Sequence, residues 1–516
     1  MIQNLLFIQP PLVEEAEKHF ENEILIWPVY IQNFLHSISP KLRFELLYLP
    51  IDLKNVGISL KSHNDIQKLY SKLDILSTSL NFELNEQCMI LISGTTNSHF
   101  LISKLIAEYY QKYYKTSIIL YGGAAASATP NDFNYNNSPV DYIIKGEGEL
   151  SLWNLIKENP KKTKTPRIIE NNPVPDINEL PPIDFSIFEK YIKNFNHLGL
   201  NLSRGCPFSC TFCNESCLIE NVNLIKRWRS YTPSRAIEEF KTMVEFGMEN
   251  NIFEYALYDS LFALTKQWLE AFLKKFNFND IKAIWTETRL DSLSKKMILN
   301  LQKKHIYLWY GLESFSHRVL SIMNKTINPR AFLNKFDEIY NINKELNNIF
   351  AINIIANFPG TTVQDEFETY HKLEQILIND NTNLIGLSLK KFHAFPGNPL
   401  YNQLKIDESK MRGYISQLKS VFYFPFWYKN PETLRHGLYC CKPSRSLSLR
   451  KSLCIYFSQY KKLLKIQLEN FKKKKSPAFL KMVYGIKKQI EHLDSNKNEL
   501  FDFLDQNNIE LGEDCD

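Results

Sequence analysis

The stretch Asn201–Ser216, NLSRGCPFSCTFCNES, sets Cys206, Cys210 and Cys213 within eight residues, spaced C-x3-C-x2-C. The chain has nine cysteines, an odd number, with one tight cluster and long gaps. That is not a disulfide framework. Reduced thiols imply a cytoplasmic protein. Two metals suit the triplet. Zinc prefers four ligands, often in paired C-x2-C knuckles. Here Cys217 could complete a set, but a second knuckle is missing. An iron–sulfur cubane is held by thiolates, and three of them would leave one iron open to an amino and a carboxylate group.

The loop follows an apolar run, LGLNLS (198–203), and five more such runs come after it. They are FEYALYD (253–259), AIWTET (283–288), IYLWYGLES (306–314), IFAINIIANF (349–358) and LIGLSLKKF (384–392). Helix-length segments such as SRAIEEFKTMVEFGMEN (234–250) separate them. Six βα units predict a partial (β/α)6 barrel of TIM type, whose chemistry belongs at the C-terminal strand ends. The cysteines sit after the first strand, where a site is expected.

A second βα series precedes this one. NLLFIQ, FELLYL, CMILIS, SIILYG and DYIIKG are apolar almost throughout, as strands buried on both faces are. Their alternation with helical segments predicts a parallel, doubly wound Rossmann-like sheet. Ligands bind beyond the carboxyl ends of such strands. The turns there are Pro10–Pro11, SGTT (93–96), GGAAAS (122–127) and GEGE (146–149). The predicted organisation is a first domain at 1–156, a proline-rich linker at 157–196, the barrel at 197–398, and a mainly helical substrate or cap region at 399–516. In that last region KKLLKIQLENFKKKK puts Leu464, Leu468 and Phe471 on one helical face, as a helix packed on the core does.

The triplet, with Phe212 at the aromatic position of C-x3-C-x-Φ-C, resembles the motif of the radical S-adenosylmethionine superfamily. The resemblance implies that Cys206, Cys210 and Cys213 hold a [4Fe-4S] cluster and that S-adenosylmethionine chelates its open iron. One-electron cleavage then gives a 5′-deoxyadenosyl radical, which takes hydrogen from an unactivated carbon. Other segments resemble the family's strand ends. LYDSLF places Asp259 after the second strand, facing the methionine amino group or else capping a helix. TETRLDSLS carries Arg289 and Asp291 after the third. YGLESFSHRVLSIMNK puts Glu313 and Ser314 against the ribose or methionine. Phe212, Asp259, Arg289, Glu313 and Ser314 are the expected S-adenosylmethionine contacts. NFPGTT (357–362) and FHAFPGNPLY (392–401) match the turns after strands five and six.

A Rossmann-like domain ahead of such a barrel resembles the cobalamin-binding branch of the superfamily. That resemblance implies a corrinoid held by Pro10, Ser93, Thr95, Gly122, Gly123, Gly146, Glu147 and Gly148. The chain lacks D-x-H-x-x-G, so the cobalamin would have no lower axial histidine; His19 and His99 read as surface or packing residues. The branch most often methylates an unactivated carbon or phosphorus of a peptide or natural product. The alternatives are a radical enzyme performing redox, cyclisation or rearrangement chemistry and, from another class, a zinc-stabilised binding protein. Methylthiolation would need cysteines in the first domain, and only Cys88 precedes residue 206. Cys217, Cys440, Cys441 and Cys454 read as bystanders or incidental thiols.

The expected partners are the substrate and an electron donor such as flavodoxin or ferredoxin. A net charge of +6 over 516 residues gives no argument for nucleic acid. No apolar run approaches the 18 or so residues of a membrane span. The N-terminus reads as a buried strand and not a signal peptide.

Overall fold

The computed structural model describes residues 2–12, 24–54, 60, 62–85, 87–215, 227–278, 280–379, 384–404, 413–415, 420–422, 426–435, 441–444, 447–473 and 477–506. His19, Cys217 and Cys440 lie outside them.

The first sheet comprises β1 (Asn4–Gln9), β2 (Arg43–Tyr48), β3 (Cys88–Ser93), β4 (Ile118–Gly122), β5 (Tyr142–Ile144) and β6 (Arg167–Ile169). Its order is β2-β1-β3-β4-β5-β6, and every pairing is parallel. Every residue of β1 and β3 is buried, which is why their sequences are apolar throughout. The principal helices here are α1 (Trp27–Ile38), α2 (His63–Thr78), α3 (Phe100–Tyr113) and α4 (Glu149–Lys157). Ser62 starts α2 with a reciprocal capping box: its hydroxyl accepts from Asp65 N–H, and its own N–H donates to the Asp65 carboxylate.

The proline-rich stretch is not the extended linker expected of it. Its Arg-Ile-Ile supplies β6, the sixth strand, paired along β5. Its second half buries Phe185, Phe188, Tyr191 and Phe195 in the main apolar core. Tyr191 Oη accepts from Tyr48 N–H at 3.1 Å and lies 2.8 Å from an Asp52 oxygen. Prolines mark the absence of helix here, but the aromatic spacing between them decides where the segment lies.

The second sheet comprises β7 (Leu198–Leu200), β10 (Glu254–Leu257), β11 (Ala283–Thr288), β12 (Ile306–Glu313), β13 (Phe350–Ala356) and β14 (Leu384–Lys391). Its order is β14-β13-β12-β11-β10-β7, all parallel, with all six expected strands present. It is an open partial barrel. Alternate residues of its strands, such as Ile284, Leu308, Ile352 and Leu387, are buried with α5 (Pro233–Glu249), α6 (Lys266–Lys275), α7 (Lys295–Gln302), α8 (Pro329–Glu345) and α9 (Val363–Asn379) in one core. Between β7 and β10, β8 (Ser203–Gly205) and β9 (Trp228–Ser230) form an antiparallel pair. The cysteine loop leaves from one of these strands and returns to the other, a hairpin base that the apolar pattern did not announce.

The C-terminal region is helical in α10 (Leu449–Lys472) and α11 (Pro477–Gln506). It also holds a small antiparallel sheet, β15 (Gly413–Ile415), β16 (Ser420–Phe422) and β17 (Cys441–Lys442), where sequence suggested helix. Leu464, Leu468 and Phe471 are buried as their spacing predicts. On α10, Gln467 Nε2 donates to Leu384 O (3.2 Å) and Tyr456 Oη to Leu389 O (3.2 Å). The helix thereby covers the β14 edge, which would otherwise leave unpaired backbone groups. Cys454, on the same helix, is half of a disulfide rather than a free thiol. No helix among the described residues is long and apolar enough to cross a membrane.

Candidate active site between the two sheets

Gly205 opens the cysteine loop at φ +84°, and a Cβ there would stand 2.2 Å from Arg227 O. Only glycine accommodates both the backbone conformation and that approach. The loop is then fastened to the ends of the barrel. Thr211 N–H donates to Met323 O (2.9 Å), Leu400 N–H to Thr211 O (3.0 Å), Asn324 Nδ2 to Ser209 O (2.8 Å) and Asn398 Nδ2 to Phe212 O (3.3 Å). Phe212 turns its ring edge-on to Phe358, 6.4 Å between centroids, and so packs the loop on the turn after β13.

Cys210 is buried, and Cys206 and Cys213 are half-buried. Burial pushes the Cys213 thiol up to about 12 and raises that of Cys206; Cys210 adds to both, and Cys206 adds to Cys213. Thiols so placed need a cation before they ionise. Among the described residues, no three His, Cys, Asp or Glu side chains converge on one point as a mononuclear site requires.

Arg289 sits against this loop. Its Nη1 is 3.9 Å from Cys210 Sγ, and its guanidinium lies 3.7 Å from the Phe208 ring centroid. Asp291 takes two of its N–H groups (3.0 and 2.9 Å), and Lys325 O takes one (2.8 Å). Asp259 is buried and neither caps a helix nor faces open space. Its carboxylate accepts from Leu202 N–H (3.1 Å) and from the Ser203 hydroxyl, bracing the hairpin below the cysteines. Burial pushes that carboxyl up to about 7.

Glu313 ends β12 at φ +71°, beside a register shift at Gly311. Its carboxylate is paired with Lys325 Nζ at 2.9 Å, both groups buried. Ser314 Oγ lies 3.1 Å from Thr369 Oγ1 and accepts from Ser316 N–H (3.1 Å), so it is occupied in holding α9.

Facing the loop across the two sheets is a cavity of about 590 Å³. The first sheet's turns contribute Thr95, Gly123, Gly146, Glu147 and Gly148, and the hairpin contributes Ser203, Arg204, Gly205, Arg227 and Arg229. Gly123 has φ +92°, and its Cβ would meet Gly94 O at 2.7 Å; Gly146 has φ +72°, and its Cβ would strike the Asn171 side chain. Of the other residues expected to hold a corrinoid, Pro10, Ser93 and Gly122 do not line this cavity. His99 is a packing residue: Thr96 N–H donates to its Nδ1 (3.3 Å), and burial pushes the ring down to about 4.

Sequence reasoning missed the charges that cross this cavity. Arg204 donates to Glu147 (3.0 Å) and Glu149 (2.7 Å), and Arg229 also grips Glu147. The Arg204 guanidinium lies 5.0 Å from the Tyr30 ring centroid. Burial alone would lift Glu149 and depress Arg204. Their mutual attraction wins, so the carboxyl lies below its usual range and the guanidinium above. Glu147, expected at the corrinoid, is thus held by two arginines of the barrel side. The R-G-C run, with an arginine two residues before the first cysteine, was the available signal.

Residues 200–373 match the family model described as the Radical SAM superfamily. An uncharacterized methyltransferase of Pyrococcus horikoshii is 26% identical over 262 residues, covering 46% of this chain and 54% of the relative. One from Synechocystis is 24% identical over 326 residues, covering 60% of this chain and 55% of the relative. The chain thus spans about half the length of these relatives. Among solved structures, the radical S-adenosylmethionine methyltransferase TsrM from Kitasatospora setae, with cobalamin and a [4Fe-4S] cluster bound, superposes at a TM-score of 0.62 and 11% identity. That match covers 96% of this chain and 100% of the other. Residues 200–373 therefore form a domain of the radical SAM superfamily, set behind an N-terminal parallel α/β sheet in the overall fold shared with TsrM.

Proposed function

We propose that the chain is a cobalamin-dependent radical S-adenosylmethionine methyltransferase acting on a carbon or phosphorus centre of a peptide or small natural product. Cys206, Cys210 and Cys213 would hold the [4Fe-4S] cluster. Thr95, Gly123, Gly146 and Gly148 would form the corrinoid cradle, where two positive-φ glycines let the backbone approach a large flat ligand. When bound, these groups and S-adenosylmethionine supply a carbon-centred radical and a transferable methyl group. The protein's own part is to fix the distance between the two cofactor sites, to orient them and to exclude water. A flavodoxin- or ferredoxin-like donor in the cytoplasm would provide the electron. The unit at 1–156 would carry the corrinoid, 197–398 the radical chemistry and 399–516 the substrate cap.

The observation carrying this reading is that the cysteine loop's hairpin forms one wall of the cavity and the first sheet's strand-end turns form the other. Anaerobic reconstitution should give about four irons per chain and, with cobalamin, a retained corrinoid spectrum. Turnover should release S-adenosylhomocysteine together with 5′-deoxyadenosine. Cys206→Ala, Cys210→Ala and Cys213→Ala should each abolish both products. Release of 5′-deoxyadenosine alone would instead favour redox or rearrangement chemistry, and a colourless protein with one zinc would overturn both.

A further inference from the structure

Behind the turn that follows β13 lies a second, far smaller cavity. It offers about 10 Å³ to the centre of a guest, which is the room of one water molecule. Its polar lining is Ser314, Thr361, Asp365, Glu366, Thr369 and Tyr370.

Most of that lining is already engaged. Asp365 accepts from the Ser316 hydroxyl (2.6 Å) and from Thr362 N–H (2.8 Å), and it pairs with Arg318. Thr369 Oγ1 lies 3.1 Å from Ser314 Oγ and accepts from Phe315 N–H (3.1 Å). Among the described residues, three polar groups are left over. One is the second carboxyl oxygen of Glu366, whose first accepts from Asn357 N–H. The others are the hydroxyls of Thr361 and Tyr370, both in residues 2% exposed and neither with a hydrogen-bond partner. Burial raises the Glu366 carboxyl, and Asn357, Thr361 and Tyr370 oppose the rise. The two hydroxyls thus stand near enough to act on the carboxyl, but not in the geometry of a hydrogen bond. Polar groups so spaced call for a molecule between them. A buried hydroxyl left without one bears its full desolvation cost.

We infer that one water molecule occupies this cavity, bound to Glu366, Thr361 and Tyr370, and joins the turn after β13 to α9. It accepts from the two hydroxyls and donates to the free Glu366 oxygen, about three bonds being usual for a buried water. A bare cation is a poorer guest, because hard cations take about six or more oxygens. The joint matters beyond the cavity. Phe358, in the same turn, is fully buried and meets the Phe212 ring of the cysteine loop. On the turn's other side Arg318 Nη2 donates to Gly360 O (2.7 Å). The water supplies the second fastening, so it positions the turn on which the loop packs. The inference does not depend on the proposed reaction.

High-resolution crystallography of the full chain, with crystals grown in sodium salts and soaked in rubidium chloride, tests this. The expected result is one density peak within hydrogen-bond distance of all three groups, without a rubidium anomalous signal. Thr361→Val and Tyr370→Phe each delete one hydroxyl at nearly constant shape, and the double variant should lose the peak. Thr361→Ser keeps the hydroxyl and should keep the peak. Amide hydrogen exchange across residues 357–362 should quicken by roughly tenfold in Tyr370→Phe, because the turn has lost one of its fastenings. A dry cavity in the wild type, a rubidium signal there, full occupancy in the double variant, or unchanged exchange overturns the inference. The wild-type density and the rubidium soak need no variant, so a variant that fails to fold leaves the test intact.

Discussion

At the scale of single residues, Gly205 and Glu366 make opposite kinds of demand. Gly205→Ala would place a Cβ on Arg227 O in a left-handed backbone position. Such strain costs roughly 1–3 kcal/mol, and the clash adds to it. The expected outcome is a folded chain that loses iron on desalting, measured as iron per chain beside the wild type. Glu366 is buried on α9, accepting from Asn357 N–H at 2.8 Å, and burial pushes its carboxyl from 4.5 up to about 7. A raised carboxyl binds its proton more tightly folded than unfolded. Its contribution is therefore complete below about pH 4.5 and lost as pH rises through 7. Urea unfolding at pH 5 and pH 8 should show Glu366→Gln losing less stability over that interval than wild type; equal losses would contradict the assignment. Neither effect was legible in the sequence. Gly205 reads only as a glycine beside a cysteine, and NFPGTT shows a turn without showing which carboxyl it buries.

At the scale of elements, β12 and the helix after it show what the sequence carried and what it hid. The apolar runs found all six barrel strands, because each strand buries one face against helices and must declare it. The cysteine triplet was legible for the same reason of local spacing. The short strands β6, β8 and β9 have three residues each, too few for a periodicity. The quoted Y-G-L-E-S segment suggested that Glu313 faces a cofactor. In the fold it closes on Lys325, twelve residues later, inside a bulge that Gly311 keeps open: a Cβ there would stand 2.9 Å from both charged groups. Removing one partner of a buried pair costs about 3–5 kcal/mol, because the other charge remains unpaired. Lys325→Met should therefore destabilise more than the double variant Lys325→Met/Glu313→Gln. A double-mutant cycle by urea unfolding reads the coupling directly, and additive losses would mean the pair is not formed.

At the scale of the whole molecule, the two sheets are joined by charge where each would otherwise expose its strand ends. The partners lie 55 and more residues apart in sequence, which is why no motif announced them. Arg204 is two residues from Cys206, so the same guanidinium that grips Glu147 and Glu149 also fixes the root of the cysteine loop. Any separation of the sheets must break a contact next to the cysteine loop. Arg204→Met leaves the buried Glu149 carboxylate without its main partner, and the expected cost is again about 3–5 kcal/mol. Adding Glu149→Gln should recover part of it. The pH signature runs opposite to that of Glu366. Arg204 holds the Glu149 carboxyl below 4.5, so its contribution is present above the unfolded value and is lost as pH falls through the folded one. Wild type should accordingly lose stability between pH 6 and pH 3.5 more steeply than Glu149→Gln. If the joint is what keeps the cavity closed, limited proteolysis of Arg204→Met at pH 7 should cut between the two sheets, within residues 157–200, and its iron content should fall below the wild-type level. A cut pattern identical to wild type would show that apolar packing of Phe185, Phe188 and Phe195 holds the halves together without the charges.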